Sequence, residues 1–211
     1  MKTKLLKLAC GLALLGAAAN TPAQTTIDTT SAFTGDYVYY WGNTDTTPVY
    51  GQVFTAPTGV TKLDSFEFFV EASGGPMYYQ AYVYAWGGSS ATGPALFSST
   101  QLTLPESAGF TPAPIDTGGI AVTPGSQYVA YFYENSGTGG GEWASVSASA
   151  YADGYFVYGD GTTTWNNFQG SSIYGNSEMV LTFDAQPVPE PSTLALSAVG
   201  GLGLLRFRRR K

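Results

Sequence analysis

Between Gln24 and Pro187 the chain repeats one pattern: short runs in which aromatic and β-branched residues alternate with small or polar ones, cut by glycine turns. The run Tyr78 to Trp86 shows it best. Tyr78, Gln80, Tyr82 and Tyr84 share one face, and Tyr79, Ala81, Val83 and Ala85 share the other. A repeat of two is the side-chain period of a strand and is incompatible with a helix. The same reading applies to Tyr37–Trp41, Val49–Phe54, Leu63–Val70, Ala95–Ser99, Gln127–Tyr133, Trp143–Tyr151, Tyr155–Tyr158 and Glu178–Phe183. Turn residues separate these runs, among them Ser73-Gly74-Gly75-Pro76, Trp86-Gly87-Gly88, Thr123-Pro124-Gly125, Asp153-Gly154 and Asp160-Gly161. Leucine is scarce and no stretch has helical periodicity, so crossover helices and a parallel sheet are not expected. The pattern predicts an all-β fold, an antiparallel β-sandwich of jelly-roll type.

The two ends follow different rules. Lys2, Lys4 and Lys7 precede an apolar run from Leu8 to Ala19, and small residues follow as far as Ala23. That order reads as a secretory signal peptide over residues 1–23, in helical form. The run is shorter than the roughly 20 residues a membrane-spanning helix needs. The single cysteine, Cys10, lies inside it, so a mature chain starting at Gln24 has none and forms no disulfide.

At the other end, Val188-Pro189-Glu190-Pro191-Ser192-Thr193 leads into a short apolar segment, Leu194 to Leu205, expected to be helical. The cluster Arg206, Arg208, Arg209, Arg210 and Lys211 follows and acts as a basic stop on the cytoplasmic side of the inner membrane. This three-part tail over residues 187–211 resembles the PEP-CTERM sorting signal of Gram-negative bacteria. The resemblance implies that Val188, Pro189, Glu190, Pro191 and Ser192 form the sorting motif. It also implies that an exosortase, a membrane cysteine protease, processes the chain near it. Such signals occur mostly in species that make exopolysaccharide, so exopolysaccharide is the expected neighbour. The expected course is export through the inner membrane, transient anchoring there, and final release to the cell surface or beyond.

The passenger, residues 24–186, has an unusual charge balance. Fourteen of the fifteen acids fall in it, against Lys62 alone among the nine basic residues. A surface of that sign repels phosphate, so nucleic acid is excluded as a partner. The passenger also lacks histidine, cysteine and arginine, which removes histidine triads, thiol nucleophiles, zinc sites of ordinary type and arginine clamps. No cofactor is expected. Carboxylate chemistry remains. Glu67 and Glu71 lie four residues apart on one strand face, about 13 Å, too far for a glycosidase pair. Calcium is the metal whose chemistry fits, with Asp153 and Asp160 beside glycine turns as the candidate ligands.

Four tryptophans and many tyrosines raise a carbohydrate reading, because aromatic faces stack on sugar rings. Trp86 and Trp165, beside glycine and asparagine turns, are the candidate glycan contacts. The stretches Gly51–Pro57, Tyr82–Trp86 and Gly118–Ala130 resemble exported β-sandwich domains found upstream of such tails, which implies the fold and no activity. Three functional readings stay open: a non-enzymatic surface or matrix protein associated with exopolysaccharide, a carbohydrate-binding module, and a carboxylate hydrolase.

Overall fold

The computed structural model describes residues 24–42, 47–137, 140–161 and 164–185. The expected signal helix, the expected C-terminal helix, the sorting motif and the basic stop lie outside the described residues. Residues Gln24–Ala185 form one compact unit. No helix among the described residues is long and apolar enough to cross a membrane.

Two antiparallel sheets face each other, which is the β-sandwich the alternation predicts. The first is built on β4 (Val60–Ser73). On one side β4 pairs with β8 (Thr111–Ala121). On the other it pairs with β14 (Met179–Ala185) along its first part and with β10 (Gly140–Val146) along its last residues. Outside these lie β1 (Gln24–Asp28) on β14 and β2 (Tyr37–Trp41) on β10. The short β13 (Asn176–Ser177) pairs with the end of β10. The second sheet runs β12 (Trp165–Asn167), β11 (Tyr155–Gly159), β3 (Val49–Thr55), β9 (Gln127–Gly137), β5 (Met77–Trp86). There, β6 (Ala91–Ser98) and β7 (Leu102–Leu104) share the outer edge of β5.

The core between the sheets follows from the alternation. Phe66, Phe68, Val70 and Ala72 of β4 face Met77, Ala81 and Val83 of β5 and Ala130 and Phe132 of β9, all with no exposed surface. Trp41 and Trp143 meet edge to face, ring centres 5.3 Å apart, and Phe132 and Phe68 pack on Trp143 at 5.4 and 4.8 Å. Aromatic rings thus fill the volume that leucine usually fills, with the edge-on geometry their charge distribution favours.

The strand expected over Trp143–Tyr151 ends at Val146 and gives way to a 3-10 turn at Ala148–Ala150. The cause is a buried amide. Asn176 donates from Nδ2 to the carbonyls of Ser147, Ala148 and Tyr151, at 3.1, 3.3 and 3.1 Å, and so curls that backbone around itself. Its Oδ1 accepts from Gln52 Nε2 at 2.7 Å, and Gln52 Oε1 accepts the Ser177 N–H at 2.8 Å. Both amides are fully buried, and together they tie β3 to the segment that precedes β14.

Candidate functional site

The edge strand β2 does not finish as a regular strand. Tyr40 has φ of 71°, the left-handed region that a side chain with a Cβ rarely adopts. The twist turns Tyr40 outwards, and it is 74% exposed, the largest value among the big apolar side chains described. Local bonds hold it there. Thr47 donates its hydroxyl to the Tyr40 carbonyl at 2.8 Å, and the Gly42 N–H reaches the Thr47 carbonyl at 3.3 Å. Tyr50, almost fully buried on β3, donates its hydroxyl to the Tyr39 carbonyl. Tyr39 is 49% exposed, and its hydroxyl is hydrogen-bonded to that of Tyr37 at 2.5 Å.

Opposite β2 stands the wall formed by β11 and the segment after β12. Tyr158 and Phe168 stack with centres 4.9 Å apart and planes 23° apart, and Tyr174 leans on Phe168 at 5.7 Å. Gly175 explains how that segment comes so close: a Cβ there would stand 2.4 Å from the Ala148 nitrogen. Between the two walls lies an open groove of about 460 Å³, bordered by Tyr37, Val38, Tyr39, Tyr40, Thr47, Tyr50, Tyr158, Phe168 and Tyr174. Among the described residues, none that borders it carries a formal charge. The groove offers ring faces, phenolic hydroxyls and the Thr47 hydroxyl, within the size range of small-ligand sites.

The residues singled out from sequence lie elsewhere. Trp86 and Trp165 do come together, edge to face at 5.4 Å, on the outer side of the second sheet. Trp86 is 8% exposed and donates Nε1 to the Tyr155 hydroxyl at 2.8 Å. Trp165 is half-buried and abuts Tyr131 edge-on at 5.4 Å. Tyr82 and Tyr84 stack on Tyr131, their planes 25° and 14° from its own. This is a second, small apolar cluster on the outer side of the sheet. Burial pushes the Tyr131 hydroxyl far above the usual tyrosine range, reinforced by Tyr84 and Tyr82.

Asp153 and Asp160 lie beyond opposite ends of β11, with its five residues and Gly154 between them, a span of roughly 20 Å, too far to share an ion. Asp153 accepts the Thr55 hydroxyl through its backbone carbonyl at 2.7 Å, and Asp160 Oδ1 accepts the Thr164 N–H at 2.9 Å. Among the described residues no group of three acids is placed to hold a metal ion.

The sequence does carry a trace of the groove. Tyr37-Val38-Tyr39-Tyr40-Trp41-Gly42 echoes Tyr82-Val83-Tyr84-Ala85-Trp86-Gly87. The two differ at one position, where Tyr40 stands in place of Ala85, and that is where β2 leaves regular geometry. Two adjacent aromatics cannot both face outward on a regular strand, and that break in alternation was the readable signal.

These features define a class: an all-β passenger with an aromatic groove, joined to a tail that directs sorting. Residues 187–211 match the PEP-CTERM protein-sorting motif, so this chain carries that signal, as the tail's three-part order predicts. The motif marks an exported protein that is anchored through its C-terminal segment until an exosortase processes it. No curated protein matches the chain. Among solved structures, the clostridial cysteine protease Cwp84 after propeptide cleavage aligns with a TM-score of 0.52 at 13% identity, covering 77% of this chain. This chain spans 40% of that one. A second structure holds the cysteine protease and lectin-like domains of Cwp84, a surface layer associated protein of Clostridium difficile. It aligns at 0.45 and 14% identity, over 72% of this chain and 37% of the other. The likeness to the first is one of fold alone.

Proposed function

We propose that the passenger is a non-catalytic glycan-binding module of an exported surface protein, with exopolysaccharide as the material it contacts. The observation that carries this reading is the groove around Tyr40: exposed rings, held by the local backbone, in a concave surface whose described residues carry no formal charge. Sugar rings present apolar C–H faces and neutral hydroxyls, and both find partners on tyrosines. The residue inventory favours binding over turnover, because the passenger offers no histidine, cysteine or arginine and a single lysine.

The groove-lining aromatics displace Trp86 and Trp165 as the leading contacts in this reading. Trp86 presents little ring face to a ligand, whereas Tyr39 and Tyr40 present much of theirs. A glycan array probed with the full chain tests the reading. Retention of a restricted set of polysaccharides is expected, with loss of that retention in Tyr40→Gly. A silent array, or binding that Tyr40→Gly leaves unchanged, would contradict it.

A further inference from the structure

The tyrosines of β2 also face a feature the groove itself does not contain. Glu71 on β4 and Glu142 on β10 are register partners. Their strand neighbours Val70, Ala72 and Trp143 have no exposed surface, so alternation lifts both carboxylates onto the outer face of the sheet. Directly opposed like charges repel each other. Lys62, the one basic residue of the passenger, sits at the far end of β4, nine residues or roughly 30 Å away. Among the described residues, therefore, no cation stands beside this like-charged pair.

Aromatic rings lie beside that pair. On the far side of β10, β2 pairs so that Ala144 faces Tyr37 and Gly141 faces Trp41, which brings Tyr37 and Tyr39 alongside Glu142. The Phe110 ring lies 5.6 Å from that of Tyr37. Tyr37 belongs to both neighbourhoods. It borders the groove, and its hydroxyl is pushed up to about 12, first by the bond to Tyr39, then by burial, the Tyr39 charge, and the charges of Glu142 and Glu71.

We propose that the ligand of this groove is a cationic glycan, a polymer of amino sugars with free amines, whose ring faces lie on Tyr39 and Tyr40 while an ammonium group docks against Glu71 and Glu142. This rests on the glycan-binding reading above and names its ligand class. An ammonium group brings three donors to two carboxylates, and adjacent tyrosine and phenylalanine faces favour a cation. A bare metal ion is less well served, since no third acid joins the pair among the described residues. The strongly acidic passenger adds a field of the right sign to attract such a polymer.

The experiment compares glucosamine oligomers with N-acetylglucosamine oligomers of the same length, using the full chain in mild detergent at pH about 6, below the range of an ordinary amine. The free-amine oligomers should bind about tenfold more tightly, the ratio falling as salt is raised. In E71Q/E142Q the two affinities should become equal, with the binding of the acetylated oligomer retained and the melting temperature unchanged or raised. Equal affinities in the unaltered chain would overturn the inference while leaving the glycan-binding reading standing. So would an amine preference that survives E71Q/E142Q. Binding of neither oligomer would remove both.

Discussion

At the scale of single residues, exposure decides which aromatics can serve a ligand. Trp86 and Trp165 both sit beside turns in the sequence, yet their surroundings differ. Trp86 is 8% exposed and bonded to Tyr155, while Trp165 is half-buried on the rim of the same cluster. Trp86→Ala should therefore destabilise the protein by about 3 kcal/mol, near the lower end for a large aromatic truncation. Trp165→Ala should cost less than half of that. Thermal melts of both variants check this, and equal losses would show that Trp165 is as much a core residue as Trp86. Tyr40 reverses the usual balance. Its left-handed backbone costs about 1 kcal/mol relative to glycine, and its exposed ring returns little packing. Single residues of this kind were the least legible in the sequence. The pattern Tyr39-Tyr40 announces a break in alternation, but only the Thr47 bond and the φ of 71° show which way the ring turns.

At the scale of elements, most strands were legible because both faces obey a period of two. The exceptions have physical causes. β8 contains Pro112, Pro114, Gly118 and Gly119, residues that ordinarily argue against a strand. It survives because it is an edge strand paired with β4 alone. Its prolines occupy the exposed alternate positions, while Ala113, Ile115 and Thr117 face inward. β1, β12 and β13 are short and depend on partners distant in sequence, which no local pattern reveals. The wall of the groove depends on the Gln52–Asn176 pair in the same way. Asn176→Ala would take from Gln52 Nε2 one of its two partners and from the part-buried carbonyls of Ser147, Ala148 and Tyr151 the amide that gathers them, at a cost of about 2–4 kcal/mol. It should also loosen the segment carrying Phe168 and Tyr174, so glycan affinity should fall along with stability. A melt unchanged in Asn176→Ala would mean that the buried amides do not hold this wall.

At the scale of the whole molecule, the acidic balance read from the sequence reappears as carboxyls that bind their protons more tightly than usual. Glu178 is pushed up to about 7, mainly by burial and then by Asp28. Glu67, Glu142, Glu134 and Asp64 are also raised, each first by burial. A carboxyl whose folded value exceeds its unfolded one binds its proton more tightly when folded. Its contribution is therefore full below the unfolded value of 4.5 and is lost as pH rises through about 7. Stability should fall across that window, by about 1–2 kcal/mol for Glu178 once solvent screening is allowed for. Melts at a series of pH values check the sign, and a midpoint that rises towards neutrality would contradict it. Which polymer meets this surface was not legible from composition, because charge excludes partners more readily than it names them. Whether the groove around Tyr40 binds glycan is decided by the retention of the full chain and of Tyr40→Gly on the same immobilised polysaccharides, measured beside their melting curves. Tyr40→Gly should melt at or above the temperature of the unaltered chain yet lose its retention; equal retention in the two proteins would rule the groove out as the binding site.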